Sequence, residues 1–199
     1  MTPDHPTEER WFERTLDTLR HAGPLGEAMA TAIAGGADEY TGGIRRTHRT
    51  RLGFARQSTG ACWFDWRRLR FGIFLNADYA HLQPDDAWLA ALLAHEARHL
   101  QQGVLEALSV RGELDAWQLQ YDVLERLSAA PHDPAWRELC ALVPDSRANL
   151  RRARALMKQI AGPRYRIGWL PLWPLPAEVE YQLRSAGQRV LHTVARALP

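Results

Sequence analysis

Two histidines four residues apart, with a glutamate beside the first, are where this chain's residue types and spacing could do chemistry: His95-Glu96-Ala97-Arg98-His99. Residues i and i+4 share one face of a helix, so His95 and His99 can present two imidazoles to a single metal ion. Glu96 is then placed to take a proton from a water at that ion, which is the work of a general base. The surroundings favour a buried helix. Leu89, Leu92, Leu93 and Leu100 supply apolar contacts, while Ala90, Ala91, Ala94 and Ala97 keep its surface thin. Asp85 or Asp86, after Pro84, provides an N-cap, and Gly103 marks the stop. The competing interpretation is a pair of solvated histidines on an amphipathic helix. A third ligand decides between the two.

A carboxylate on a helix that folds back beside the first one can supply it. After a break at Ser109-Val110-Arg111-Gly112, a helix is predicted from near Arg111 to Leu127, with Glu113 in its first turn, fourteen residues beyond His99. Glu106 competes, seven residues after His99 and on the same face if the helix continues. It would stand about 10 Å along the axis, too far for a metal bond of roughly 2 Å. Cys62, in Gly-Ala-Cys, is faintly similar to the cysteine ligand of peptide deformylases, but their glycine-rich signature is absent. The metzincin continuation fails as well, because Gln102 occupies its glycine position and Leu105 its third histidine. Tyr79, His81 and His132 lie in predicted loops and read as ordinary surface residues.

Around this stretch the sequence resembles the gluzincin metallopeptidases, in which a downstream helix carries a glutamate ligand, often within Glu-x-x-Ala. Glu113-Leu114-Asp115-Ala116 matches that pattern. The resemblance implies Zn2+ held by His95, His99 and Glu113, with Ala116 as the small residue that lets two helices approach. It implies Glu96 as the general base of peptide-bond hydrolysis, and a peptide or protein substrate. Trp117 stands where some of these families have an aspartate, and Asp115 is the alternative outer-shell carboxylate. The similarity spans about Leu69 to Leu127.

The elements that would position these groups can be placed along the chain. Two helices are expected at the start, Thr7 to about Ala22 and Pro24 to Ala34, separated by Gly23-Pro24. Ile44 to Arg51 has a strand-like pattern, and its interleaved arginines read as a solvated sheet face rather than a nucleic-acid contact. Ala61–Trp66 and Leu69–Asn76 form a predicted hairpin through Arg67-Arg68. Helices are predicted from Pro134 to Val143, from Pro144-Asp145 to Gly162-Pro163, and from about Ala177 to Leu198. Between the last two, the aromatic, proline-punctuated stretch Tyr165–Pro176 drapes over the core, with Tyr165 a candidate oxyanion stabiliser.

The expected fold is α+β: a mostly helical zincin-like domain with a small antiparallel sheet preceding the metal-binding helix. One domain over 1–199 accommodates it, with N-terminal helices in 1–41, the sheet and metal-binding helices in 42–128, and C-terminal helices in 129–199. With 46% hydrophobic residues and eight tryptophans the chain is globular rather than disordered. A net charge of +2, with Lys158 the only lysine, gives no electrostatic footprint for nucleic acid. Cys62 and Cys140 make no disulfide framework. The N-terminus lacks a basic and then apolar leader, and no apolar run approaches the roughly 20 residues of a membrane span. A cytoplasmic protein with no membrane or nucleic-acid partner is the expectation.

Overall fold

The computed structural model describes residues 7–35, 39–41, 44–46, 51–55, 60–65, 70–163 and 165–185. Helices α1 (Glu8–Arg20) and α2 (Pro24–Gly35) fall on either side of the Gly23-Pro24 break. Trp11, Phe12, Thr15, Leu16 and Leu19 recur at helical spacing on α1 and are all buried, so one face of it is core.

The predicted strand over Ile44–Arg51 is divided. Strands β1 (Glu39–Thr41) and β2 (Ile44–Arg46) form a separate antiparallel pair. Arg51 instead opens β3 (Arg51–Ala55), a strand the sequence pattern concealed. Gly53 interrupts its apolar alternation for a packing reason. A Cβ there would lie 3.1 Å from the Phe74 ring and 3.3 Å from Glu8 Oε1. That same carboxylate accepts the Phe54 amide at 3.0 Å, tying the strand to the start of α1.

The expected hairpin forms, from β4 (Gly60–Asp65) and β5 (Arg70–Asn76), with Cys62 opposite Ile73. The sheet as a whole departs from the antiparallel one expected. Its order is β3-β5-β4, and β3 runs parallel to β5. The chain reverses between β3 and β4 and again in the hairpin, so β3 and β5 point the same way. Had β4 taken the centre, every contact would be antiparallel; with β5 in the centre, one must be parallel. Ile73 and Leu75, both fully buried, alternate along β5 toward the helices. The expected loop after it contains a single 3-10 turn, Ala77–His81. Tyr79 packs edge-on against Trp88 at 5.4 Å and His81 is exposed, so neither approaches the histidine pair.

Helix α3 (Ala87–Gln102) begins at Asp86, whose carboxylate accepts the Trp88 and Leu89 amides, and ends at Gly103 with φ 75°. Every residue from Leu89 to Ala97 is buried, a run long enough to cover all sides of a helix. Over that stretch the helix has no solvent face, and it is accordingly enclosed by α1, α2, β4, β5 and the later helices. A four-residue helix α4 (Val104–Ala107) turns the chain, and α5 (Val110–Arg126) returns alongside α3.

The remaining helices are α6 (Pro134–Ala141), capped by Asp133, α7 (Arg147–Ala161), and α8 at 175–185. The α7 start lies beyond the expected Pro144-Asp145, because Ser146 is the residue whose hydroxyl accepts the Asn149 amide and caps the helix. Between α7 and α8 the chain makes a 3-10 turn at Arg166–Trp169 and drapes over the core as expected, burying Ile167 and Leu172. No helix among the described residues is long and apolar enough to cross a membrane.

Two apolar clusters meet on α5. Val123 and Leu124 join α1, α2, α3 and β5 in the first. Val110, Leu114, Trp117 and Tyr121, one stripe of α5, join α6, α7 and the draped segment in the second. Packed on both sides, α5 has little freedom to rotate, and that holds its first turn against α3.

Candidate metal centre

His95 and His99 project from successive turns of α3, with Nε2 atoms 3.1 Å apart. Glu113, from the first turn of α5, faces both: Oε2 lies 3.8 Å from His95 Nε2 and Oε1 lies 3.7 Å from His99 Nε2. One ligand atom from each of the three falls within 4.8 Å of the others, the one such group of His, Cys, Asp or Glu found among the described residues. Donors about 2.0–2.1 Å from a tetrahedral ion stand about 3.3 Å from each other. The observed spacings bracket that value. Two imidazoles and one carboxylate are also the donor set of a zinc site that keeps a fourth position open.

The protonation states suit such a site. Burial, reinforced by the neighbouring His99, holds the His95 imidazole well below its ordinary pKa, so it is neutral and its nitrogens can act as ligands. The Ala116 carbonyl and the Gln120 side chain face this ring, and neither closes a hydrogen bond to the buried Nδ1 at normal geometry. His99 Nδ1 meets Gln102 Oε1 at 3.0 Å.

Glu96, next to His95 in sequence, is buried, with 5% of its surface exposed. The first-turn carboxylate of α5 is in turn held by the draped segment. Tyr165 donates its hydroxyl to Glu113 Oε2 at 2.5 Å and accepts the Trp117 indole N–H at 3.1 Å. Burial first, then the Glu113 charge and hydrogen bond, raise the Tyr165 pKa well above its ordinary value; the Glu96 charge adds to this. The phenol therefore stays protonated and remains a donor. Trp117 also lies edge-on to His95, at 6.0 Å between ring centroids.

Asp115 reaches the site at one remove. It accepts Arg98 Nε at 2.8 Å and Nη2 at 3.3 Å, and Gln102 Nε2 at 2.7 Å. Burial works to raise its pKa, but the Arg98 and Gln102 hydrogen bonds and the Arg98 charge outweigh that and lower it.

The fold thus brings together His95, His99 and Glu113, the three ligands singled out from spacing and resemblance, while Glu96 follows His95 on the same buried stretch of α3. Glu106 stays away, on α4, paired with Arg111 at 3.5 Å. His132 is exposed in its loop. The Cys62 side chain lies outside the described residues. Sequence reasoning missed the Gln102 contact with His99 and the place of Gln120 facing the His95 ring. Gln102 follows His99 by three residues, and Gln120 follows Ala116 by four, so each shares a helix face with a site position. The Tyr165–Glu113 bond had no local signal at all.

No protein family, curated protein or solved structure with which the chain was compared matches it.

Proposed function

We propose that this protein is a zinc-dependent peptidase with His95, His99 and Glu113 as metal ligands and Glu96 as general base. The observation that carries the reading is the convergence of both Nε2 atoms and the Glu113 carboxylate on one buried point, with Glu96 adjoining it in sequence. A zinc ion there supplies a Lewis acid that polarises a carbonyl and lowers the pKa of water toward about 7. Glu96 accepts a proton from the attacking water and returns it to the departing amine. His95 lies against the Trp117 ring of α5, Glu113 is held by Tyr165 of the draped segment, and His99 meets Gln102 of its own helix. The Tyr165 hydroxyl is committed to Glu113, so its role is to hold that carboxylate.

A second reading is favoured by the burial itself. His95, Glu96 and His99 are 5–8% exposed, and the Glu113 side chain 16%. A site so enclosed also suits a metal-binding regulatory module with little proteolysis.

Zinc content per chain, measured for the wild type beside Glu113→Ala, tests the metal. One equivalent in the wild type and a loss in the variant are expected; a wild type that takes up no supplied zinc would overturn the proposal. Chelator-sensitive cleavage across a panel of peptides and proteins then separates peptidase from binding module.

A further inference from the structure

The site's least expected connection runs from α5 back to α3 through one amide. Gln102 follows His99 by three residues, so both lie on one face of α3. One end of its amide sits 2.8 Å from the Gly112 carbonyl oxygen and 2.7 Å from Asp115 Oδ2. A carbonyl and an ionised carboxylate are both acceptors only, so this end has to be the NH2 group. Turning the amide over would set an oxygen between two acceptors and lose both bonds. The oxygen end is therefore the one at 3.0 Å from His99 Nδ1. An oxygen there can only accept, so Nδ1 must carry the proton, and in the neutral ring Nε2 is then the bare nitrogen, facing His95 and Glu113.

We propose that Gln102 and Asp115 act as positioning residues that set the tautomer of His99, making it a ready Nε2 ligand. The proposal rests on the metal reading for its purpose, though not for its geometry. Asp115 is pinned by the two Arg98 N–H groups, and Arg98 Nη1 is pinned in turn by Gln101 Oε1 at 3.1 Å. The arrangement differs from a carboxylate bonded directly to the ligand histidine, because an amide is interposed and transmits the acceptor character of Asp115. It also couples the two helices. Asp115 lies two residues past Glu113, so the group that orients His99 moves with the helix that carries the third ligand.

The test uses the full-length chain, 15N-labelled and metal-free, with long-range 1H–15N correlation of the imidazoles at a pH where they are neutral. The His99 signals are assigned by their loss in His99→Asn. The expected pattern for His99 is Nδ1 protonated and Nε2 bare; a proton on Nε2 in the wild type overturns the proposal. In Gln102→Leu the pattern should shift toward the other tautomer, and Zn2+ affinity should fall about 10- to 100-fold. An unchanged tautomer and affinity in a folded Gln102→Leu would also overturn it. If the wild type shows the expected tautomer yet binds no zinc, the relay stands and the metal reading falls.

Discussion

Tyr165 donates its hydroxyl to Glu113 Oε2 at 2.5 Å, across 52 residues of chain. The bond joins the draped segment after α7 to the first turn of α5, and the Trp117 indole completes it by donating to the same oxygen of Tyr165. Removing the hydroxyl leaves Glu113 with one hydrogen-bond donor fewer and more freedom to turn. Tyr165→Phe should therefore stay folded, since the ring still packs with the second cluster. Its zinc affinity should fall about 10-fold or more in a competition titration. An affinity equal to wild type would reduce Tyr165 to packing.

Glu96→Gln separates metal binding from chemistry. The amide is close in shape to the carboxylate but cannot accept the proton. One zinc per chain should remain, while the turnover of any peptide the wild type cleaves should drop by about 10²- to 10⁴-fold. Retained turnover would remove Glu96 from the mechanism.

Gly112 looked like a chain break, yet it lies within the first turn of α5, where its amide donates to the Ser109 hydroxyl at 3.0 Å. The reason is α4. A Cβ on Gly112 would stand 2.0 Å from the Glu106 carbonyl oxygen, a clash with backbone that no rotamer relieves. Gly112→Ala should destabilise the fold by about 1–3 kcal/mol in denaturant unfolding. It should also weaken zinc binding, because the residue that must shift adjoins Glu113. Wild-type stability in this variant would mean that α4 and α5 separate at no cost.

Acid should loosen α8 first. Arg147 holds Glu178 by two hydrogen bonds of 2.9 Å, and these, chiefly, keep the Glu178 carboxylate below its ordinary pKa of 4.5. A group whose pKa is lowered by folding stabilises fully above its unfolded value and loses that contribution as pH falls through the folded one. The stability difference between wild type and Glu178→Gln should be constant near neutrality and shrink below about pH 4.5. Amide exchange in 175–185 should rise over the same interval. A difference independent of pH would show that the ion pair contributes nothing.

Cys140 should be a poor nucleophile. Burial, with the Asp122 and Glu125 charges nearby, pushes its thiol up to about 12. In a Cys62→Ser background, alkylation at pH 8 should be slower by on the order of a hundredfold than for the denatured chain. Equal rates would place the thiol in water.

Much of this molecule could be read from local pattern because local rules govern it. The His95–His99 spacing, the apolar run around it, and the Asp86 and Gly103 boundaries depend only on helix geometry and capping. Glu113 was within reach because it lies in the next long helix, and a short turn leaves that helix little choice but to return alongside α3. The α1–α2 break, the β4–β5 hairpin and the Asp133 cap belong to the same class.

What depended on distant packing was out of reach. The place of β5 between β3 and β4 follows from which strand edges meet, and each strand's own alternation is the same in either order. Strand β3 went unread, and the glycine within it, Gly53, is accounted for only by the Phe74 ring packed against it. Gln102 was legible as a neighbour of His99, but its orientation needed Gly112 and Asp115 from another helix to select the end that donates. Tyr165 is the extreme case, a residue with no sequence neighbour at the site. Residue spacing along a helix or strand is set by covalent geometry and is written in the sequence. Hydrogen bonds between side chains tens of residues apart are set by how two apolar clusters close on α5, and exist only once the chain has folded.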